Sequence, residues 1–222
     1  MKICALIPAY NEAKTILPLI QETQRYIPDV IVLDDGSQDE TLQLVQQTDA
    51  KVLINRVNQG KGITLRRGFE YALQQGFDWI LTMDGDGQHN PGDIPVFLDI
   101  LKREQDCIVI GNRMYQRNQM PWIRWITNQT MSKIISKIVK QYIPDTQCGY
   151  RLIHRRVLAA MPLLKSKKFE IESELVIEAA RAGFKIISIP IHSIYQGQES
   201  QIKPLRDTIR FLRLLLRYID LS

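Results

Sequence analysis

The sequence predicts an α/β fold in which a mainly parallel sheet is covered by helices on both faces. Two observations carry this. Short apolar runs of strand length alternate with amphipathic stretches of helical length, and the residues just after each run are rich in Asp, Asn and Gly. Strands joined through helices imply crossover connections and parallel neighbours. In such sheets ligands bind beyond the carboxyl ends of the strands. With 222 residues, 45% of them hydrophobic, one well-filled core is within reach.

The first run, Ile3 to Ile7, opens into Pro8-Ala9-Tyr10-Asn11-Glu12, and Thr15 to Gln24 follows with helical periodicity. Val30 to Leu33 is the second strand and leads into Asp34-Asp35-Gly36-Ser37-Gln38-Asp39. Ser37 and Asp39 suit the N-cap of a helix over Glu40 to Gln47, and a cap is favoured over ligand contact for Asp39. Val52 to Ile54 comes third, followed by Asn58-Gln59-Gly60-Lys61-Gly62 and a helix over Ile63 to Gln75. Trp79 to Met83 runs into Asp84-Gly85-Asp86-Gly87-Gln88-His89; Pro91 then takes a first-turn position ahead of a helix over Ile94 to Leu101. Ile108 to Ile110 is the fifth strand and ends at Gly111-Asn112-Arg113. There is no repeat, low-complexity tract or Gly/Ser linker, so one domain is expected over residues 1–202 with a C-terminal helix over 203–222.

Charge is uneven along the chain. Residues 1–106 carry 10 Lys and Arg against 16 Asp and Glu, whereas residues 107–169 carry 12 against Asp145 alone. Two different ligands are implied, with acidic loops in the first half and a cationic middle. Cys4, Cys107 and Cys148 are far apart and form no Cys-x-x-Cys pair, which argues against disulfides or zinc and for a reducing cytoplasm. No apolar run approaches the ~20 residues of a bilayer crossing and no signal peptide opens the chain, so a protein that is neither secreted nor membrane-spanning is expected. The Walker A and Rossmann glycine fingerprints are both missing.

Asp84 and Asp86 leave a strand end together beside two glycines, and Gln88 adds an oxygen. Hard oxygen ligands of this kind suit Mg²⁺ or Mn²⁺ completed by water and substrate phosphates; a plain polar turn is the alternative. Of Asp34 and Asp35, one could accept hydrogen bonds from a nucleobase or ribose while the other holds the loop. Gly60-Lys61-Gly62 at a helix start could bring backbone amides and a cation to a phosphate.

Together these elements resemble the inverting family 2 glycosyltransferases, especially the dolichyl- and polyprenyl-phosphate sugar transferases. The family's Pro-x-Tyr-Asn-Glu stands at Pro8, Tyr10, Asn11 and Glu12, its Asp-Asp-Gly-Ser-x-Asp at Asp34 to Asp39, and its Asn-x-Gly-Lys-Gly at Asn58 to Gly62. The metal motif Met-Asp-x-Asp-x-Gln-His is Met83 to His89. Further on stand Asp145, Gly149, Tyr150 and Arg151, then Phe169 to Leu175. The resemblance implies an A-type nucleotide-sugar fold, residues 1–110 serving the donor and metal and 111–202 the acceptor. It implies that Pro8, Ala9, Tyr10, Glu12, Asp34, Asp35, Lys61 and Asp84 bind the donor and that Asp84, Asp86 and Gln88 hold Mg²⁺ or Mn²⁺. Asp86, Asp145 and Arg113 would then work at the reacting atoms, with Arg113, Arg124 and Glu172 on the acceptor.

The expected reaction moves one sugar from a GDP- or UDP-sugar to a polyprenyl phosphate; a saccharide or lipid hydroxyl is the alternative acceptor. Arg113 and Arg124 suit a phosphate, with Arg117 a lesser candidate, while Lys133, Lys137 and Lys140 read as a solvated helix face. A phosphate monoester is largely deprotonated at neutral pH, so Asp145 could position rather than act as base; hydrogen bonding to Arg151 is a structural alternative. Of Glu172 and Glu174, one could face the site and the other water. Trp122, Ile123, Trp125 and Ile126 around Arg124 suit a membrane headgroup layer or the core. In the C-terminal helix, Arg206, Arg210, Arg213 and Arg217 form one stripe and Leu205, Ile209, Leu212, Leu216 and Ile219 another, the pattern of a helix that lies on an anionic bilayer or docks on the domain or on a partner such as a membrane subunit. The expected place is therefore peripheral, at the cytoplasmic face of the membrane. A nucleic-acid partner is not expected, because it would leave Asp35, Asp84 and Asp86 without a role.

Overall fold

A computed structural model describes residues 1–116, 120–161, 164–194 and 204–219, with the side chains of 204–208 and 219 left out. Seven strands alternate with eight helices among these residues: β1 Ile3–Ala9, α1 Ile16–Gln24, β2 Val30–Asp34, α2 Thr41–Val45, β3 Lys51–Ile54, α3 Lys61–Gln74, β4 Trp79–Thr82, α4 Ile94–Ile100, β5 Cys107–Asn112, α5 Trp122–Ile138, β6 Arg151–His154, α6 Arg155–Ala160, α7 Ile171–Arg181, β7 Lys185–Pro190 and α8 Pro204–Ile219. They form one sheet in the order β3-β2-β1-β4-β6-β5-β7.

The five strands and four helices expected in the first half are all present. β1 extends to Ala9 because Pro8 pairs with Leu33 and Ala9 with Asp34 on β2. α3 starts at Lys61, two residues early, since Gly60 takes φ +98° as its N-cap. A 3-10 turn over Pro91–Asp93 precedes α4, and the Asn90 side chain accepts from the Gly92 N–H at 3.0 Å. The N-cap of α2 is Glu40, and Asp39 just before it accepts from the N–H of Thr41, the first helical residue, at 3.0 Å. Ser37 is not a cap; its hydroxyl accepts from the Asn11 N–H at 3.0 Å and ties the first loop to the second.

β6 and β7 fall where no strand was expected. β6 is antiparallel to both neighbours, β4 and β5, while every other pair is parallel. The sheet is therefore mixed, and the reversal places the start of β6 at the end of the sheet where β1, β2 and β4 finish. Arg151 begins β6 with only 2% of its surface exposed. Its guanidinium donates to three carbonyls, those of Cys148 at 2.7 Å, Thr146 at 2.9 Å and Glu172 at 2.7 Å. It thus ties the loop before β6 to the first turn of α7, and its bonds go to carbonyl oxygens rather than to Asp145.

The core is nearly continuous along β1, β2, β4, β5 and β6, with Phe97, Ile135, Val157 and Val176 closing it from the helices. α8 docks through Phe211, Leu214, Leu215 and Tyr218, which are buried, and the Tyr218 hydroxyl donates to Glu178 of α7. The stripe read from the sequence is not the face that packs on the domain: Ile209, Leu212 and Leu216 are exposed. Phe211 and Tyr218 bring larger apolar area to the domain, which suits the opposite face to docking. The side chains of Leu205, Arg206 and Ile219 lie outside the described residues.

Removing the Arg151 guanidinium leaves three buried carbonyls without their donor, so Arg151→Ala is expected to lower unfolding free energy by about 4 kcal/mol. Denaturant titration checks this, and a loss below ~1 kcal/mol would mean that other donors serve these carbonyls.

Candidate active site

The carboxyl ends of β1, β2 and β4 converge, and the loop after β4 fits against the end of β1. A Cβ on Gly85 would stand 3.0 Å from the Pro8 carbonyl oxygen, and the Gly85 N–H donates to that oxygen at 3.2 Å. Within the loop, the Gln88 N–H donates to Asp86 Oδ1 at 2.9 Å and the Asp84 N–H to His89 Nδ1 at 3.0 Å. His89 must be neutral at Nδ1 to accept, and burial supplies this by pushing its pKa down to about 4. It stacks on Tyr150 with ring centroids 5.0 Å apart. His89 was the last residue of the sequence motif but carried no expected role; it shapes the loop that aims Asp84.

Three carboxylates interact here and differ in their compensation. Burial, then the charge of Asp84, pushes Asp86 up to about 6. Burial, then Asp86 and Asp84, pushes Glu12 up to about 7. Asp84 goes the other way: burial opposes its charge, but Lys61 outweighs it and holds the carboxyl well below the usual range. Lys61 Nζ lies 2.5 Å from Asp84 Oδ1 and also pairs with Glu172 Oε1. The excess negative charge around Asp86 and Glu12 fits a divalent cation. Gln88 is buried beside them, its Oε1 accepting from Arg124 Nη1 at 3.2 Å. Among the described residues no three His, Cys, Asp or Glu side chains gather as a metal cage. A Mg²⁺ ion held by one or two carboxylates, water and phosphate needs none.

The loops expected to bind the donor are more internally occupied than expected. Asp35 accepts from Asn55 Nδ2 at 2.9 Å, the Gln59 N–H at 2.8 Å and the Gly60 N–H at 2.7 Å. Asp34 accepts from the Ser37 N–H at 3.3 Å. Both therefore hold loops, rather than one doing so. The Gly60 amide is engaged by Asp35, and that of Gly62 donates to the Lys167 carbonyl at 3.0 Å, so neither aims at a phosphate. Gly36, at φ +75°, passes so close to Val57 that a Cβ would be 2.8 Å from its carbonyl carbon, which brings the second and third loops together. Pro8, Ala9, Tyr10 and Glu12 line the first loop, with the Glu12 N–H donating to Thr41 Oγ1 at 2.8 Å.

Across the site, Arg113 and Asp145 form a buried bidentate pair, Nε to Oδ2 at 2.8 Å and Nη2 to Oδ1 at 3.0 Å. They are 4% and 1% exposed. Arg124, on the first turn of α5, is half-buried and reaches the loop after β4 through Gln88. Around it Trp122 is 71% and Ile123 60% exposed, so these two do not pack the core; Trp125 donates from its indole to the Met114 carbonyl at 3.2 Å. Lys133, Lys137 and Lys140 are exposed, as a solvated face requires. Neither Glu172 nor Glu174 faces water: both are buried, and Glu174 accepts from the Lys165 and Ser166 amides at 2.9 and 2.8 Å. Arg117 lies outside the described residues.

A parallel sheet interrupted by one reversed strand, with an acidic loop at its carboxyl ends, is the A-type fold of nucleotide-sugar transferases. It superposes with a TM-score of 0.70 and 17% identity on glucosyl-3-phosphoglycerate synthase from Mycobacterium tuberculosis in complex with Mn²⁺, UDP and glucosyl-3-phosphoglycerate, covering 98% of this chain and 78% of that one. Residues 4–161 match glycosyl transferase family 2, and the chain belongs to that family. It is a glycosyltransferase. The UDP-N-acetylglucosamine–dolichyl-phosphate N-acetylglucosaminyltransferase of Methanococcus voltae is 29% identical over 87% of this chain and 86% of its own length. The undecaprenyl-phosphate mannosyltransferase of Micrococcus luteus is 27% identical over 86% and 83%.

Asp86 and Glu12 have folded-state pKa values above their unfolded ones. Their stabilising effect is thus complete below pH ~4 and is lost as pH rises through about 6 and 7. Asp86→Asn is therefore expected to raise the melting temperature of the metal-free protein by a few degrees at pH ~8, from about 1–3 kcal/mol of relieved repulsion, with no gain at pH ~3.5. Thermal scans in chelator at both pH values check this; an equal shift at both would show that charge is not the cause.

Proposed function

We propose that the protein transfers one sugar from a GDP- or UDP-sugar to a polyprenyl phosphate, with inversion at the sugar carbon and with Mg²⁺ or Mn²⁺ held by Asp84, Asp86 and Gln88. The observation that carries this reading is the link between Arg124 and Gln88. It joins the metal loop to a helix turn whose other side chains, Trp122, Ile123 and Ile126, are apolar and exposed. A cation beside the reacting centre and apolar surface next to it suit an acceptor with a phosphate head and a hydrocarbon tail.

Pro8, Ala9, Tyr10, Glu12, Asp34 and Asp35 form the nucleotide wall, and Lys61 supplies the cation nearest the diphosphate. When bound, the metal would neutralise charge on the departing nucleoside diphosphate. Arg113 and Arg124 orient the acceptor phosphate, whose oxygen attacks the sugar carbon as the diphosphate leaves on the opposite side. A phosphate with a second pKa of about 6 needs no base. Asp145 fits that economy: its oxygens already accept from Arg113 and from the Gln147 N–H at 3.2 Å, so it holds Arg113 rather than taking a proton. Glu172 acts through Lys61.

Access to a membrane-borne acceptor is supported by the outer face of α8. Ile209, Leu212 and Leu216 share it with Arg213 and Arg217, all exposed, and apolar groups flanked by arginines suit the cytoplasmic surface of an anionic bilayer. Among the described residues no helix is long and apolar enough to cross a membrane.

Nucleoside-diphosphate release with Mn²⁺ from a panel of GDP- and UDP-sugars, each with and without a short polyprenyl phosphate, tests the reaction. Release from one donor only with the lipid phosphate present is expected; release indifferent to it would overturn the acceptor assignment. Leu212→Asp with Leu216→Asp is expected to cut sedimentation with phosphatidylglycerol vesicles by about tenfold, and unchanged binding would remove α8 from the membrane contact.

A further inference from the structure

We infer that Lys61 is an internal cation occupying the Asp84 side of the metal site, and that a nucleoside diphosphate draws it away, so that metal and donor bind as a coupled pair. This rests on the metal reading above and adds an order of events to it.

Lys61 Nζ sits 2.5 Å from Asp84 Oδ1 and pairs with Glu172 Oε1 as well. The two carboxylates converge over Gly149, where a Cβ would be 2.9 Å from both Asp84 oxygens and from Glu172 Oε1. Only glycine there lets one ammonium serve both. A divalent ion approaching Asp84 in this arrangement meets a positive charge already bonded to its ligand. Asp86, by contrast, makes no ion pair among the described residues; its Oδ1 accepts from the Gln88 N–H at 2.9 Å. In the metal-free site Asp84 is therefore committed to an ammonium and Asp86 is not.

The backbone around Lys61 is fixed while its side chain has somewhere else to go. Gly60 is held by Asp35, the Gly62 amide by the Lys167 carbonyl, and a Cβ on Gly62 would come 2.4 Å from the Ser166 carbonyl oxygen. Motion is thus left to the flexible side chain of Lys61. Glu172 keeps the ammonium in the site when it lets go of Asp84, and an arriving diphosphate offers it a second anion. Once the ammonium turns to phosphate, Asp84 is available to the metal. Binding of either partner then strengthens the other by the same factor.

The test is Mn²⁺ binding to the full chain, read by the loss of the free-ion electron paramagnetic resonance signal, with and without UDP or GDP. The wild type is compared with Lys61→Met and with the charge-balanced double variant Lys61→Met, Glu172→Gln, which guards against misfolding of the single one. Without nucleotide, both variants are expected to bind Mn²⁺ about tenfold tighter than wild type. The enhancement of Mn²⁺ affinity by nucleotide should be about tenfold smaller in the variants than in wild type. If the variants bind more tightly but retain the full enhancement, the lysine merely repels the ion and the exchange is wrong. If they bind Mn²⁺ no better than wild type, Lys61 does not compete for Asp84 and the inference falls. Absence of Mn²⁺ binding to wild type even with nucleotide would overturn the metal assignment itself.

Discussion

The contact between Lys61 and the paired carboxylates of Asp84 and Glu172 organises the rest of the site. It joins the end of β4, the start of α3 and the first turn of α7, elements separated by up to 111 residues in the chain. Burial opposes the lysine's charge, yet Asp84 and Glu172 outweigh it and hold its pKa above the ordinary lysine range. A buried ion pair of this kind contributes little net stability, because desolvation offsets the attraction, but loss of one partner leaves a costly charge behind. The three residues are thus constrained together, and the two halves of the domain, residues 1–110 and 111–202, meet where they touch.

The second half achieves its geometry through one reversed strand. With β6 antiparallel, the loop carrying Asp145, Gly149 and Tyr150 opens at the same end of the sheet as the loops after β1, β2 and β4. Arg151 then fixes that loop by three carbonyl contacts. A hydrophobic residue at this position would leave those carbonyls unsatisfied in the core, so a full charge is retained where bulk apolarity would otherwise be favoured. The same loop brings Asp145 to Arg113 and Gly149 to the carboxylates that share Lys61.

Much of this was legible in the sequence. β1 to β5 and their helices announce themselves by periodicity, and the strand-end rule located the acidic loops before any contact was known. β6 was hidden because its first and last residues, Arg151 and His154, read as polar loop, whereas burial with carbonyl partners makes the arginine compatible with a strand. β7 is bracketed by Lys185 and Pro190, which mask a short apolar centre. The face by which α8 docks was not singled out, because Phe211, Leu214, Leu215 and Tyr218 form a second apolar face opposite the stripe of Ile209, Leu212 and Leu216, and periodicity does not show which of two faces a domain takes. Within the site, carboxylates were identifiable but their partners were not. Local sequence cannot show that an aspartate expected to bind ligand also gathers the amides of a loop 24 residues away, as Asp35 does. Nor does it show that Asp145 belongs to Arg113, 32 positions earlier, rather than to the neighbouring Arg151.

That last pairing bears on the proposed recognition of an acceptor phosphate. A free arginine loses substantial rotamer freedom when it binds, which subtracts from affinity. Arg113 has already lost it in folding, because Asp145 grips the guanidinium through two atoms and accepts from the Arg113 backbone amide at 3.2 Å. The fork is therefore preorganised, and its charge is largely balanced, so it offers direction more than attraction. On the proposed function attraction falls to Arg124, half-buried at the start of α5 with its guanidinium on Gln88. On this proposal, directional and attractive roles would sit on different arginines, one locked in the core and one at the rim next to exposed apolar side chains, a division that suits an acceptor whose charged head enters while its tail stays outside.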